Sequence, residues 1–134
     1  MPSRTGGLGV ENVAKVYKAG VRLVLGSHDA GSNRIIGWGS HMELEAFVNW
    51  VGMTPREAII SGTSAAADAL GIGNFGSVAV GKAADFIVLD GNPLDDIRNT
   101  RRISQVYLRG KEVNRSAMKA KWQAACNATT TSAN

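Results

Sequence analysis

The sequence predicts an α/β fold with three parts. Residues 1–72 form an α/β segment, residues 73–115 form a small β unit, and residues 116–134 form a C-terminal helix and tail. Two observations predict this division. Segments with helical spacing flank one apolar, β-branched run at residues 21–25, which is typical of an α/β unit. From Gly73 onward, glycines instead separate short β-rich runs, which is typical of antiparallel strands.

Length and composition place the chain among ordinary globular proteins. It has 134 residues, of which 44% are hydrophobic and 19% charged. Its single cysteine excludes an internal disulfide framework and a cysteine-based zinc site. No apolar run approaches the ~18 residues of a membrane span, and the N-terminal residues lack the apolar core of a signal peptide. We therefore expect a soluble cytoplasmic protein with no membrane partner.

The first half begins with a short helix and a buried strand. Apolar residues repeat at helical spacing over residues 11–19, and Gly20 is a natural C-terminal cap. The run at 21–25 has strand length and is apolar enough to be covered on both faces, which favours a parallel sheet or barrel. A second helix is predicted from Ser40, which pairs with Glu43 in a capping-box pattern, and it should end at Gly52.

Three start signals coincide for the third helix. Thr54 is the N-cap, Pro55 occupies the first helical position and Glu57 stands at N3. We expect this helix to break near Gly62 and to stop at Gly71.

The second half reads as antiparallel β structure. Short β-rich runs occupy residues 76–81, 85–89 and 104–108, and residues 109–112 resemble a tight hairpin turn leading into Val113. A final helix is predicted over residues 116–125, followed by a frayed tail.

Charge is distributed unevenly along the chain. Residues 1–97 carry seven Lys/Arg and ten Asp/Glu, whereas residues 98–134 carry eight Lys/Arg and one acidic residue. Such asymmetry occurs in proteins that bind nucleic acid or another anionic surface. The alternative, which we favour, is a solvated basic face around the C-terminal helix, with no nucleic-acid partner.

Asp29 is the strongest candidate for chemistry. It follows the apolar run at 21–25, and functional side chains of parallel α/β folds cluster at the C-terminal ends of strands. A carboxylate there could ligate a divalent ion or accept a proton from a metal-bound water. The alternative is that Asp29 caps a turn through neighbouring backbone amides. The adjacent His28 should point to the other side of an extended chain, so we expect it to have a structural or supporting role.

Two further side chains are candidates for the surroundings of such a site. His41 opens the predicted second helix, where it could contact the active-site end of the fold or support the helix start. Trp38 lies in a glycine-flanked loop and could line a pocket, whereas Trp50 is predicted to lie in the core.

One candidate parallel strand cannot form a sheet by itself. Residues 1–72 contain only that strand, at 21–25. The first half should therefore depend on a partner or be a fragment of something larger.

Four segments in order carry a resemblance to a known family: "LGSHDAG", "HMELEAFVNWVGMTPREAIISGTSAAADALGI", "GSVAVGKAADFIVLDGNPLDDI" and "ISQVYLRGKEV". Together they resemble the C-terminal third of the amidohydrolase superfamily, in the branch of imidazolonepropionase-like and prolidase-like metal-dependent hydrolases. The resemblance implies the last strand and helices of a TIM-like barrel, followed by a segment of a β-sandwich that both chain ends build.

The resemblance also implies roles for particular residues. Asp29 matches the aspartate that ends the eighth barrel strand, binds metal and carries a proton between water and leaving group. The family pattern is Gly-Thr/Ser-Asp, and this chain carries an additional residue, His28, before the aspartate. His41 matches a histidine that opens the following helix, and Lys82 and Asp85 match structural positions. The other metal-binding histidines of the family lie upstream, and this chain has only His28 and His41.

The resulting expectation is a C-terminal fragment of a metal-dependent hydrolase acting on carbon–nitrogen bonds. The complete enzyme would bind a divalent metal, with zinc the expected ion, would act on a small-molecule amide, cyclic amide or dipeptide, and would be a homo-oligomer. The isolated chain should hold the metal poorly and be inactive. Two alternatives stay open: a non-catalytic basic binding module, and an obligate subunit that completes a partner's barrel.

Overall fold

Helices occupy the first half of the chain and a small antiparallel sheet the second. This computed structural model describes residues 4–26 and 37–131, with side chains described for residues 9–26 and 37–125. In chain order the elements are α1 (Arg4–Lys18), α2 (Gly39–Ala46) with a π-helical turn (Phe47–Val51), α3 (Pro55–Ser61), α4 (Ser64–Ala69), β1 (Phe86–Leu89), a 3₁₀ helix (Ile97–Arg101), β2 (Ile103–Leu108), β3 (Lys111–Glu112) and α5 (Arg115–Thr131).

Helix α1 confirms the existence of the first predicted helix but begins at Arg4, seven residues before the predicted start, and Gly20 follows it with a positive φ of 86°. The prediction of a hydrogen-bonded strand at residues 21–25 is wrong, because no described strand pairs with this segment. A strand requires a neighbour for its backbone groups, and in this segment Leu25 N–H instead donates to Ser61 O at 3.2 Å. Leu23 and Leu25 are nevertheless half-buried against the core.

Helix α2 begins one residue earlier than predicted, and its capping box is absent. Trp38 occupies the N-cap position without a side-chain hydrogen bond to the helix. The Glu43 carboxylate does not reach back to Ser40, because it accepts a hydrogen bond from Gly26 N–H at 3.1 Å. The predicted end is confirmed: Gly52 has φ 87°, and its N–H closes the π-helical turn on Phe47 O.

The start of α3 is confirmed in detail. Thr54 Oγ1 accepts from Glu57 N–H at 3.3 Å, and the Glu57 carboxylate accepts from Thr54 N–H at 2.8 Å, which is a complete capping box. The chain breaks at Gly62 as expected, α4 follows, and Gly71 has a positive φ of 69°.

The sheet is a three-stranded antiparallel meander in the order β1-β2-β3. Phe86 pairs with Tyr107 across the first two strands, and Tyr107 pairs with Glu112 across the last two. The predicted hairpin turn is confirmed, with Arg109 and Gly110 both at positive φ (52° and 74°).

Two predictions in the second half are wrong. Residues 76–81 form no strand, and Val78 and Val80 are exposed, because no described strand lies beside them. The last helix continues to Thr131, through residues predicted as a frayed tail.

The core is small and lies among the helices. The buried residues of its central cluster lie in the π-helical turn, in the loop that follows it, in α3 and in the 3₁₀ helix: Phe47, Val51, Met53, Ala58 and Ile97. No large side chain of the described part is completely buried. The prediction that Trp50 lies in this core is wrong, since its exposed fraction is 65%.

Within the described ranges, none of the helices combines the length and apolar character needed to cross a membrane.

Candidate functional site

The predicted site residues fall into two groups. Asp29 and His28 lie outside the described residues, so their roles stay predictions. Trp38 and His41 lie within the described part, at the start of α2.

The segment that leads to Asp29 in sequence is fixed to two helices. Gly26, three residues before Asp29, donates its N–H to the Glu43 carboxylate of α2. Leu25 donates its N–H to Ser61 O at the end of α3. Hydrogen bonds from these two consecutive residues therefore fix the position of the end of this segment relative to α2 and α3.

His41 joins the first turn of α2 to the 3₁₀ helix. Its Nδ1 lies 3.1 Å from Oγ1 of Thr100, a residue with an exposed fraction of 5%. The Thr100 hydroxyl has one proton, and it donates that proton to Ile97 O at 2.8 Å. Thr100 Oγ1 must therefore accept from His41, which places the imidazole proton on Nδ1. In the neutral ring, Nε2 is then an unprotonated acceptor.

The electrostatic surroundings favour this neutral ring. Partial burial and the nearby guanidinium of Arg101 hold the pKa of His41 below its ordinary value of 6.5, against the opposing effect of the Glu45 carboxylate. These effects favour the uncharged ring at neutral pH, and the contact with Thr100 assigns the proton of that ring to Nδ1.

Trp38 packs against the same pair of elements. Its ring meets His41 edge to face, with centroids 6.3 Å apart and planes at 66°. The Arg101 guanidinium lies over the Trp38 ring, 4.8 Å from its centroid, and forms an ion pair with Glu45. Trp38 is half-exposed and does not line the cleft described next, so its predicted pocket role gains no support from this position.

The acidic residues of α2 have specific partners. Glu43 and Glu45 lie beyond the first turn of the helix, which contains no acidic residue. Glu43 binds Gly26 and Glu45 binds Arg101. Thr100 and Arg101 escaped sequence reasoning, because their partners lie more than fifty residues away and no local pattern marks them.

A largely apolar cleft of about 670 Å³ separates α2 and α3 from the sheet. Leu44 and Ile59 line its helical side, Ile87 and Val106 line its sheet side, and His41 lies on its wall. Its size and apolar lining are those of a ligand site or of a groove that another polypeptide segment fills.

The described residues do not form a metal site. Among them, no three His, Cys, Asp or Glu side chains lie close enough to hold an ion. Asp85 supports the hairpin, because its carboxylate accepts from Arg109 N–H at 2.6 Å, and Lys82 donates to Gly73 O. Both agree with the structural roles predicted for them.

Comparison with known proteins assigns this arrangement to a family. The sequence profile of the Amidohydrolase family matches residues 2–113. The imidazolonepropionase of Deinococcus radiodurans is 38% identical over 64 residues, which cover 46% of this chain and 16% of that protein.

Solved structures of related proteins are also similar to this chain. Molinate hydrolase superimposes with a TM-score of 0.68 and 36% identity, over 78% of this chain and 26% of that one. A Xaa-Pro dipeptidase superimposes with a TM-score of 0.69 and 32% identity, over 78% of this chain and 25% of that one. This chain thus spans between a sixth and about a quarter of the length of these three proteins.

The profile match over residues 2–113 includes both the helical half and the sheet. The chain belongs to the Amidohydrolase family.

Proposed function

We propose that this chain is the C-terminal part of a metal-dependent amidohydrolase that hydrolyses a carbon–nitrogen bond in a small amide, cyclic amide or dipeptide. The observation that carries the proposal is the family match over residues 2–113, in a chain that spans about a quarter of molinate hydrolase and of the Xaa-Pro dipeptidase. The names of those two proteins support hydrolysis as the reaction class.

The surface of the sheet supports completion by further polypeptide. Phe86, Ile87 and Val88 of β1 are all exposed although they alternate between the two faces of the strand. Only β2 pairs with β1 among the described residues. A short apolar edge strand whose side chains are partly exposed on both faces is a surface that folded proteins normally bury or protect.

We assign Asp29 as a metal ligand and proton carrier of the complete enzyme. The support is its sequence position, three residues beyond Gly26, which α2 fixes through Glu43. Among the described residues no three His, Cys, Asp or Glu side chains lie together, and we propose that other polypeptide supplies the remaining ligands. Zinc is the expected ion, and we propose a cytoplasmic homo-oligomer as the complete form.

The test compares the complete natural gene product with the 134-residue chain. Both are assayed against dipeptides, N-acyl amino acids, ureas and cyclic amides, with and without a chelator. We expect that only the complete protein hydrolyses these compounds and that the chelator abolishes its activity. Asp29→Asn should lower kcat by several orders of magnitude, because the variant loses the ligand charge and the group that carries the proton.

Asp95→Asn is the matched control. Asp95 is exposed and lies in the turn before the 3₁₀ helix, so the same chemical change there should leave kcat within about twofold. Near-normal turnover in Asp29→Asn would refute the role of Asp29. Full activity in the presence of the chelator would refute a metal-dependent enzyme.

The second candidate is an obligate subunit that completes a barrel supplied by another chain. The uncovered sheet favours it equally, because a separate chain could cover β1 as well as a covalently linked segment could. Purification from the source organism separates the two: a partner polypeptide carrying several histidines would support the subunit, and one longer chain would support the fragment.

A further inference from the structure

Helix α5 lies beyond the part of the chain that matches the family, which ends at residue 113. Its start is well defined. The Asn114 side chain accepts from Ala117 N–H at 2.9 Å, which is an N-terminal cap, and Arg115 donates to Ile103 O of β2 at 2.6 Å. The helix is therefore anchored to the sheet at one end.

The described side chains of α5 form a narrow apolar stripe. Met118 and Trp122 are one turn apart on the same face, with exposed fractions of 62% and 70%. At 3.6 residues per turn, Lys121 and Lys119 lie on opposite sides of this stripe, each roughly 60° from it. A tryptophan on an apolar stripe with a lysine on each side is the arrangement of a helix that lies in a membrane interface.

The charge of this part of the chain also favours a membrane surface as the partner. The sequence of α5 contains three basic residues and no acidic one. Residues 98–134 as a whole contain eight Lys/Arg and one acidic residue. Two of these cations form ion pairs within the chain, Arg98 with Asp96 and Arg101 with Glu45, and the excess of the remaining cations complements an anionic surface.

We propose that α5 lies flat on an anionic phospholipid surface, with Trp122 and Met118 inserted at the headgroup level and Lys119 and Lys121 on lipid phosphates. An acidic protein groove is the less suitable partner. Helices that bind grooves present large anchors at i, i+3 or i+4, and i+7, and the i+7 position after Met118 is the small residue Ala125. Shallow insertion with flanking lysines requires no third anchor.

The test uses the full chain and vesicles in a flotation assay. One set of vesicles contains phosphatidylcholine alone, and the other contains phosphatidylcholine and phosphatidylglycerol in equal amounts. We expect binding to the anionic vesicles only, weakened by salt. Replacing both lysines, Lys119→Gln with Lys121→Gln, should weaken binding roughly 20- to 30-fold, because each interfacial cation strengthens binding about fivefold. Trp122→Ala should weaken it at least tenfold.

The pair Lys15→Gln with Lys18→Gln on α1 is the matched control, since it removes the same charge from another exposed helix. It should change binding less than threefold, and circular dichroism should show equal helix content in every variant. An equal loss in the α1 pair would mean that net charge alone drives binding, which contradicts the proposal. Absence of binding, equal binding to neutral vesicles, or equal affinity for soluble polyglutamate that does not require Trp122 would also overturn it.

Discussion

At the scale of single residues, the His41–Thr100 contact is the most informative feature of the described part. The Thr100 hydroxyl donates its one proton to Ile97 O. In the 3.1 Å contact between His41 and Thr100, the His41 ring is therefore assigned as the donor, and this assigns the tautomer of His41. The same bond fixes the start of α2 to the 3₁₀ helix, next to Trp38 and Arg101.

This tautomer predicts unequal effects of two similar substitutions. The Asn side-chain amide can take the place of Nδ1–H, whereas that of Gln reaches toward the position of Nε2. His41→Asn should therefore retain most of the stability, and His41→Gln should lose about 1–2 kcal/mol, because Thr100 Oγ1 then has no donor. Urea unfolding of both variants measures the difference.

Nitrogen NMR of the imidazole provides the direct check. Neutral His41 should show a protonated Nδ1 and an unprotonated Nε2, and Thr100→Val should remove the preference. A neutral ring protonated at Nε2 would show that the assigned direction of the hydrogen bond is wrong.

The lowered pKa of His41 also predicts a pH effect. Below about pH 6.5 the unfolded chain binds a proton at this ring before the folded chain does. The free energy of unfolding should therefore fall as the pH decreases from about 6.5 through the folded pKa, and should change no further below it. The carboxylates of Glu57 and Asp96, whose pKa values are also lowered, act in a separate window below about pH 4.5.

Stability curves for wild type and His41→Asn, measured between pH 7 and pH 5, test this effect. The variant should lack the decrease, because its amide does not titrate. An identical decrease in both proteins would assign the effect to another group.

At the scale of elements, short sequence signals predicted the helix starts and ends that are determined by residues close together in the chain. Thr54, Pro55 and Glu57 predicted the start of α3, and the capping box there is complete. Gly52 marked a helix end for the same reason, since its left-handed conformation ends the π-helical turn. Gly62 marked the break after α3, although its backbone stays in the right-handed region.

The predictions failed where the local structure depends on contacts with residues that are distant in the sequence. The apolar runs at 21–25 and 76–81 have the composition of strands, yet neither has a described neighbour to pair with. The Ser40–Glu43 pattern did not cap α2, because Gly26 N–H competes for the carboxylate. His41–Thr100 and Glu45–Arg101 join residues more than fifty positions apart, and sequence spacing does not indicate such contacts. Of the candidate site, sequence identified His41 and Trp38 but neither of their partners.

The capping box of α3 has a measurable contribution. Thr54→Ala should destabilise the chain by about 1 kcal/mol, since Glu57 N–H loses its acceptor. Thr54→Ser keeps the hydroxyl and should cost much less. Thermal unfolding of the two variants measures the contrast, and equal midpoints would show that the cap does not limit stability.

At the scale of the whole molecule, the small core and the uncovered sheet have one explanation. Among the residues with described side chains, the central buried cluster contains five, and β1 exposes apolar side chains on both faces. We propose that the surfaces left open are those that the rest of such a protein would cover, since this chain spans about a quarter of molinate hydrolase.

Metal stoichiometry tests this account most directly. Zinc per polypeptide is measured after gel filtration for the 134-residue chain and for the complete natural protein or complex that contains it. We predict at least one tightly bound divalent ion in the complete form and well below one in the chain alone, with Asp29→Asn lowering the content of the complete form and Asp95→Asn leaving it unchanged. One tightly bound zinc in the isolated chain, together with hydrolytic activity, would contradict the account.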